Sequence, residues 1–195
     1  MRQALLRTIA RSVAVGLCVL LCGSCGTVVR QGSGSSYLII DLLSGPSSQG
    51  TLQSDVLTKG TAVEDNAQAL LRTEMKDIST PTAASPTNNE ITVTSYRVTY
   101  TRADGRNAPG VDVPYPFDGA VTGTVKVGVA TTFVFVIVRA QAKFEAPLKA
   151  LQGLGGAQII STIAEVTFYG HDQTGNQVSV TGTISVNFAD WADPV

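Results

Sequence analysis

The sequence predicts an all-β domain, a two-layer antiparallel sandwich of about seven strands with one short helix. Three observations predict it. From Tyr37 onward the chain is dominated by runs of Val, Ile, Thr and aromatic residues, punctuated by Gly, Asn, Asp and Pro, which is strand-and-turn chemistry. Several runs alternate apolar and polar residues with a period of two, as strands with one packed and one wet face do. No long amphipathic helical stripe follows them, so the strands must cover one another.

The elements follow in chain order. Tyr37 to Leu43 and Leu52 to Thr58 supply one or two short strands around the flexible turn GPSSQG at 45–50. Val63 to Lys76 fits both a strand face and a helical stripe, and its Glu, Ala, Gln and Arg favour helix. Strand is the reading chosen, because the neighbouring β segments need a partner. Ile91 to Arg102 holds two phases, Ile91 and Val93, then Tyr96, Val98 and Tyr100, so a β-bulge is expected near Thr94-Ser95. Ala120 to Val127 sets Val121, Gly123, Val125 and Val127 against Thr122, Thr124 and Lys126.

Thr131 to Phe144 reads as the central strand. Its first half, TTFVFVIV, is apolar on both faces; its second half turns Val138, Ala140, Ala142 and Phe144 inward and Arg139, Gln141 and Lys143 outward. A helix is expected at Ala146 to Gln152, with Pro147 in its first turn and Gly153 at its stop. Ile159 to Tyr169 and Gln177 to Phe188 form a hairpin around GHDQTGN, with Gly170 and Gly175 as turn residues. In the last run Val178, Val180, Gly182, Ile184, Val186 and Phe188 share one face without interruption. The run SYRVTYT is similar to a middle strand of fibronectin type III or immunoglobulin-like domains, which makes the expected architecture immunoglobulin-like. The immunoglobulin inter-sheet disulfide is absent, and the only Trp is Trp191, where packing against the end of the sandwich is expected.

The first residues have another character. All three cysteines, Cys18, Cys22 and Cys25, lie there. Arg2, Arg7 and Arg11 precede an apolar run, Ser12 to Gly23, of signal-peptide length and short of the ~20 residues of a membrane-spanning helix. Small residues Gly23 and Ser24 then precede Cys25. This order resembles a bacterial lipoprotein precursor, with Cys22 at the position usually held by Leu. The resemblance implies a signal peptide over 1–24, diacylglycerol on Cys25 and a membrane location. In a Gram-negative host it implies the outer membrane, since Gly26 carries no acidic retention signal. Residues 25–36 would then be the lipidated cysteine and a Gly/Ser-rich tether, and 37–195 the sandwich. Gly26 to Ser36 reaches on the order of 15–20 Å as a flexible coil. Two alternatives remain: signal cleavage without lipid or an uncleaved anchor, and a redox or zinc role for Cys22 and Cys25. The latter lacks a second C-x-x-C, and the chain has one histidine.

Composition narrows the function. Loss of the leader lowers the basic residues from 14 to 11 against 15 acidic, a net charge near −4. A mildly acidic surface does not suit nucleic acid or an anionic lipid face. With no cysteine after Cys25, stability must come from the core. No cofactor is expected. No nucleophile elbow, phosphate loop or H-E-x-x-H is present, so no enzyme is expected either. His171, beside Asp172, is expected to be a solvent-exposed loop residue.

The long stretch ADGRNAPGVDVPYPFDG at 103–119 is the candidate partner-binding loop, through Asp112, Tyr115, Phe117 and Asp118. Prolines lower the entropy cost of ordering it, and aromatics serve as anchors. The competing role for Tyr115 and Phe117, which burial favours, is to fold over one end of the sandwich and seal it. The expected function is a lipid-anchored envelope protein with a non-catalytic domain, either recognising a protein or serving structurally. The alternative is a calcium- or carbohydrate-binding adhesion module using 103–119, with Asp104, Asp112 and Asp118 as calcium ligands.

Overall fold

The computed structural model describes residues 34–46, 50–76 and 87–191. The expected signal peptide, Cys25 and most of the tether lie outside the described residues. Those described belong to one unit beginning at Gly34.

Among the described residues there are eight strands: β1 (Ser36–Ser44), β2 (Thr51–Asp55), β3 (Asp65–Met75), β4 (Ile91–Thr101), β5 (Phe117–Val125), β6 (Thr131–Val138), β7 (Ile160–Asp172) and β8 (Gln177–Ala189). They form a three-stranded sheet, β1-β3-β6, and a five-stranded sheet, β2-β8-β7-β4-β5. In immunoglobulin lettering these are A-B-E and A′-G-F-C-C′, an immunoglobulin-like sandwich. The run SYRVTYT lies on β4, between β5 and β7.

One pairing departs from the antiparallel expectation. β2 runs parallel to β8, Thr51 beside Ser185 and Asp55 beside Ala189. The ladder of β1 slips between Ile40 and Leu42, and the chain leaves its sheet after Ser44. Its next strand, β2, belongs to the other sheet.

Alternation explains which strands were legible. In β7, Thr162, Ala164, Val166 and Phe168 are buried; in β8, Ile184, Val186 and Phe188. They face Ala67, Ala69 and Leu71 of β3 and Phe133, Phe135 and Ile137 of β6. Phe135 stands edge-on to Phe168 at 5.2 Å and to Tyr96 at 5.0 Å between ring centroids, a geometry the ring quadrupoles favour. Val63 to Lys76 is indeed strand, β3, at the centre of its sheet.

The bulge falls where the change of parity placed it. Both ladders of β4 slip between Val93 and Ser95. Gly170 pairs with Val93 there, so it is a strand residue of β7 rather than a turn residue. A Cβ on Gly170 would collide with the Thr92 carbonyl and meet the Val93 Cα at 3.0 Å. His171 likewise sits in β7, half-buried, rather than in an exposed loop.

The largest correction concerns Thr131 to Phe144. β6 is an edge strand, not a central one, and it stops at Val138. Ala140–Phe144 is a 3₁₀ turn, followed by the helix α1 (Ala146–Lys149), shorter than expected, with Pro147 in its first turn. Three residues per turn replace the strand period of two. Lys143, expected outside, is therefore fully buried, and Phe144, expected inside, is 62% exposed.

Candidate functional site

The loop between β4 and β5 is a built structure. Arg102 holds Asp104 in an ion pair, and the Asp104 carboxylate accepts the Arg106 N–H at 3.1 Å. Hydrogen bonding to Arg102 keeps the Asp104 carboxyl below its ordinary range. Arg106 reaches Asp112 at 3.0 Å. Asp112 donates its own N–H to the Ala108 carbonyl at 2.8 Å, and its side chain accepts the Ala108 N–H at 3.3 Å. Val113 and Pro114 are buried and pin the loop to the sandwich.

The four residues expected to form a partner surface separate. Asp112 and Tyr115 belong to the loop. Phe117 opens β5 and is buried, edge-on to Tyr96 at 6.2 Å and beneath the Arg139 guanidinium at 4.5 Å. It seals the core. Asp118 is on β5 and pairs with Arg97 of β4 at 2.9 Å. Tyr115 stands out, 53% exposed, with its ring over Gly110 and its N–H donated to Glu145 at 2.8 Å. Each proposed calcium carboxylate thus has its own arginine: Asp104 with Arg102, Asp112 with Arg106, Asp118 with Arg97. Among the described residues no group of three or more His, Cys, Asp or Glu is placed to hold a metal ion.

A groove of about 450 Å³ lies between this loop and the α1 region. Arg106, Val111 and Asp112 line one wall; Pro147, Leu151 and Ile159 line the other. Val111 and Ile159 are exposed in it, and Phe144 and Tyr115 are exposed on the two elements that form it. The sequence signals the helix and the strand from Ile159 but not that they face this loop.

Beneath this end lies a buried ion pair. Lys143 Nζ is 3.0 Å from Asp65 Oδ2, which also accepts a hydrogen bond from Ser54 Oγ at 2.6 Å. The Gln152 side chain donates to the Lys143 carbonyl at 3.3 Å. The pair ties β2, β3 and the 3₁₀ turn together.

The chain enters at the other end. A Cβ on Gly34 would stand 3.3 Å from Asp172 Oδ2, and Lys76 donates its N–H to the Ser35 carbonyl at 2.8 Å. Asp172 is buried, at the far end of β7 from Ile160. Burial acts to raise its pKa, but bonds from the Asn176 and Thr174 side chains and N–H groups outweigh it and hold the carboxyl below its ordinary range. His171 Nδ1 lies 3.1 Å from the Asp172 carbonyl. Thirteen residues of β7 separate the two ends, roughly 40 Å at the strand rise.

A scan against protein-family models gives no match, and a search of curated proteins gives none either. The remaining candidate, Trp191, packs as expected: half-buried, with its backbone N–H donated to Asp55 at 3.1 Å and its ring close to Gly156.

Proposed function

We propose that this chain is a lipid-anchored envelope protein whose immunoglobulin-like domain recognises another protein, or holds one in an envelope assembly, without catalysis. The anchor rests on Arg2, Arg7 and Arg11, the apolar run and Gly23-Ser24-Cys25. The observation that carries recognition is the exposure of Val111 and Ile159 in the groove at the end farthest from Gly34, with Tyr115 and Phe144 exposed on the elements beside it. Exposed apolar side chains set among fixed polar groups are a binding-surface composition. The Asp104 and Asp112 pairs already order Arg102 and Arg106, so little side-chain freedom is lost on binding. An anchor at one end leaves the other free to meet a partner. Attachment is assigned to acyl chains on Cys25.

Two measurements test this. Mass spectrometry of the mature protein from its host should find Cys25 as the first residue, carrying diacylglycerol; a different, unacylated first residue would remove the anchor. A photo-crosslinking residue at Val111 or Ile159 should give a discrete adduct in cells, while the same residue at Lys126 or Gln173 should not. Equal labelling from both ends would remove the groove.

A further inference from the structure

Four strand edges border the two sheets, and three are guarded. β1 is broken by its bulge and carries Asp41, ion-paired to Arg72 at 3.0 Å. β2 has five residues and ends in Asp55. β5 carries Asp118 and two glycines. Charges, bulges and short length are the devices that keep sheet edges from pairing. β6 has none of them: TTFVFVIV has no charge, proline or glycine.

The direction of its free groups follows from one bond. Gly128 donates to the Thr73 carbonyl at 2.9 Å, so the backbone of Thr73 faces the β6 side. Alternation then turns Leu71, Ala69 and Ala67 toward β6, where they pair with Thr131, Phe133 and Phe135. The N–H and C=O groups of Thr132 and Val134 therefore point away from the sheet. Both residues are exposed, Val134 at 59%. Farther along, the Tyr96 and Tyr100 hydroxyls meet the backbone of Val136 and Ile137, which confines the open edge to Thr131–Phe135.

We propose that this edge pairs with the same edge of a second copy, antiparallel, with Thr132 of each opposite Val134 of the other. The strand's own chemistry selects that occupant. An uncharged strand sets no like charges against itself, and antiparallel pairing of identical strands is two-fold, so it closes as a dimer instead of propagating. The product is one six-stranded sheet, β1-β3-β6 continued into β6-β3-β1. The two-fold reverses β6, so the two Gly34 entries emerge at opposite ends. On the anchoring reading above, such a dimer joins two facing membrane surfaces, whereas neighbours on one surface stay unpaired.

The test uses the chain from Gly34 onward, which holds the whole core and has no lipid, so its outcome is independent of the anchor. Sedimentation velocity across a concentration series should show the mass doubling. The amides of Thr132 and Val134 should gain protection from hydrogen exchange in step with it, while those of Phe133 and Phe135 are protected throughout. Val134→Lys and Thr132→Pro, which spare every ladder bond to β3, should keep the protein monomeric with an unchanged melting temperature. A monomer up to the solubility limit, or a dimer in which these two amides exchange as fast as in the monomer, overturns the proposal. So does a dimer that survives both substitutions.

Discussion

Removing either partner of the Lys143–Asp65 pair should destabilise the domain unequally, in an order the burial dictates. The Lys143 side chain is 1% exposed and that of Asp65 is 21% exposed. Asp65→Ala strands an ammonium with no water in reach. Breaking a buried pair in this way costs about 3–5 kcal/mol. Lys143→Met keeps the length of the side chain and leaves a carboxylate that Ser54 still bonds and solvent still reaches. One lost hydrogen-bond partner of this kind costs ~1–2 kcal/mol. The double variant Asp65→Leu with Lys143→Met should return close to the parent, because well-packed apolar replacements of buried ion pairs are neutral or stabilising. Urea unfolding at neutral pH, followed by fluorescence and circular dichroism, measures all three. The expected order of loss is Asp65→Ala, then Lys143→Met, then the double variant. Lys143→Met costing as much as Asp65→Ala, or all three falling within roughly 0.5 kcal/mol of the parent as surface changes do, would refute the argument from burial.

Three further outcomes are expected. Gly170→Ala should cost about 2–3 kcal/mol, since a methyl group there meets backbone that cannot move aside; a melting temperature equal to the parent's would contradict the bulge geometry. Gly123→Ala should destabilise less, because its Cβ would meet the Phe133 ring edge at 2.6 Å and a ring can tilt; a loss exceeding that of Gly170→Ala would reverse this ranking. Asp172 has a folded pKa below its unfolded value, so its stabilisation is present above ~pH 4 and disappears as pH falls through the lowered folded value. The stability gap between the parent and Asp172→Asn should therefore be constant from neutral pH to about pH 5 and close at lower pH. A gap unchanged in strong acid would mean that the charge contributes nothing.

Legibility in the sequence tracked how plainly each segment separates a wet face from a dry one. Gln177 to Phe188 does so at every position, and β8 followed. The parity change between Val93 and Tyr96 located the bulge because a slip of one residue exchanges the faces. Where both faces are apolar, the signal fails. TTFVFVIV reads as central, yet Val134 lies on an outer face at an open edge. Lys143 and Phe144 exchanged places because a 3₁₀ turn begins two residues after β6 ends, and only a tertiary partner, Asp65, shows where the ammonium goes. The parallel pairing of β2 depends on a crossing between sheets that no local period records. At the site, prolines and length singled out the loop that bears Asp112 and Tyr115. Phe117 and Asp118 belong to β5 because Phe117 pairs with Val98 and Asp118 with Arg97. The opposite wall, Pro147, Leu151 and Ile159, is assembled only by folding.

The positions of Gly34 and the groove also set how this domain would carry load. A lipid pulling from one end and a partner from the other would apply tension along the strands, across ladder hydrogen bonds that lie perpendicular to them. The rungs between β1 and β3 would then resist in shear, strained together, rather than open one after another like a zipper. By that geometry the sandwich would resist being drawn out lengthwise more than being peeled apart from its edge.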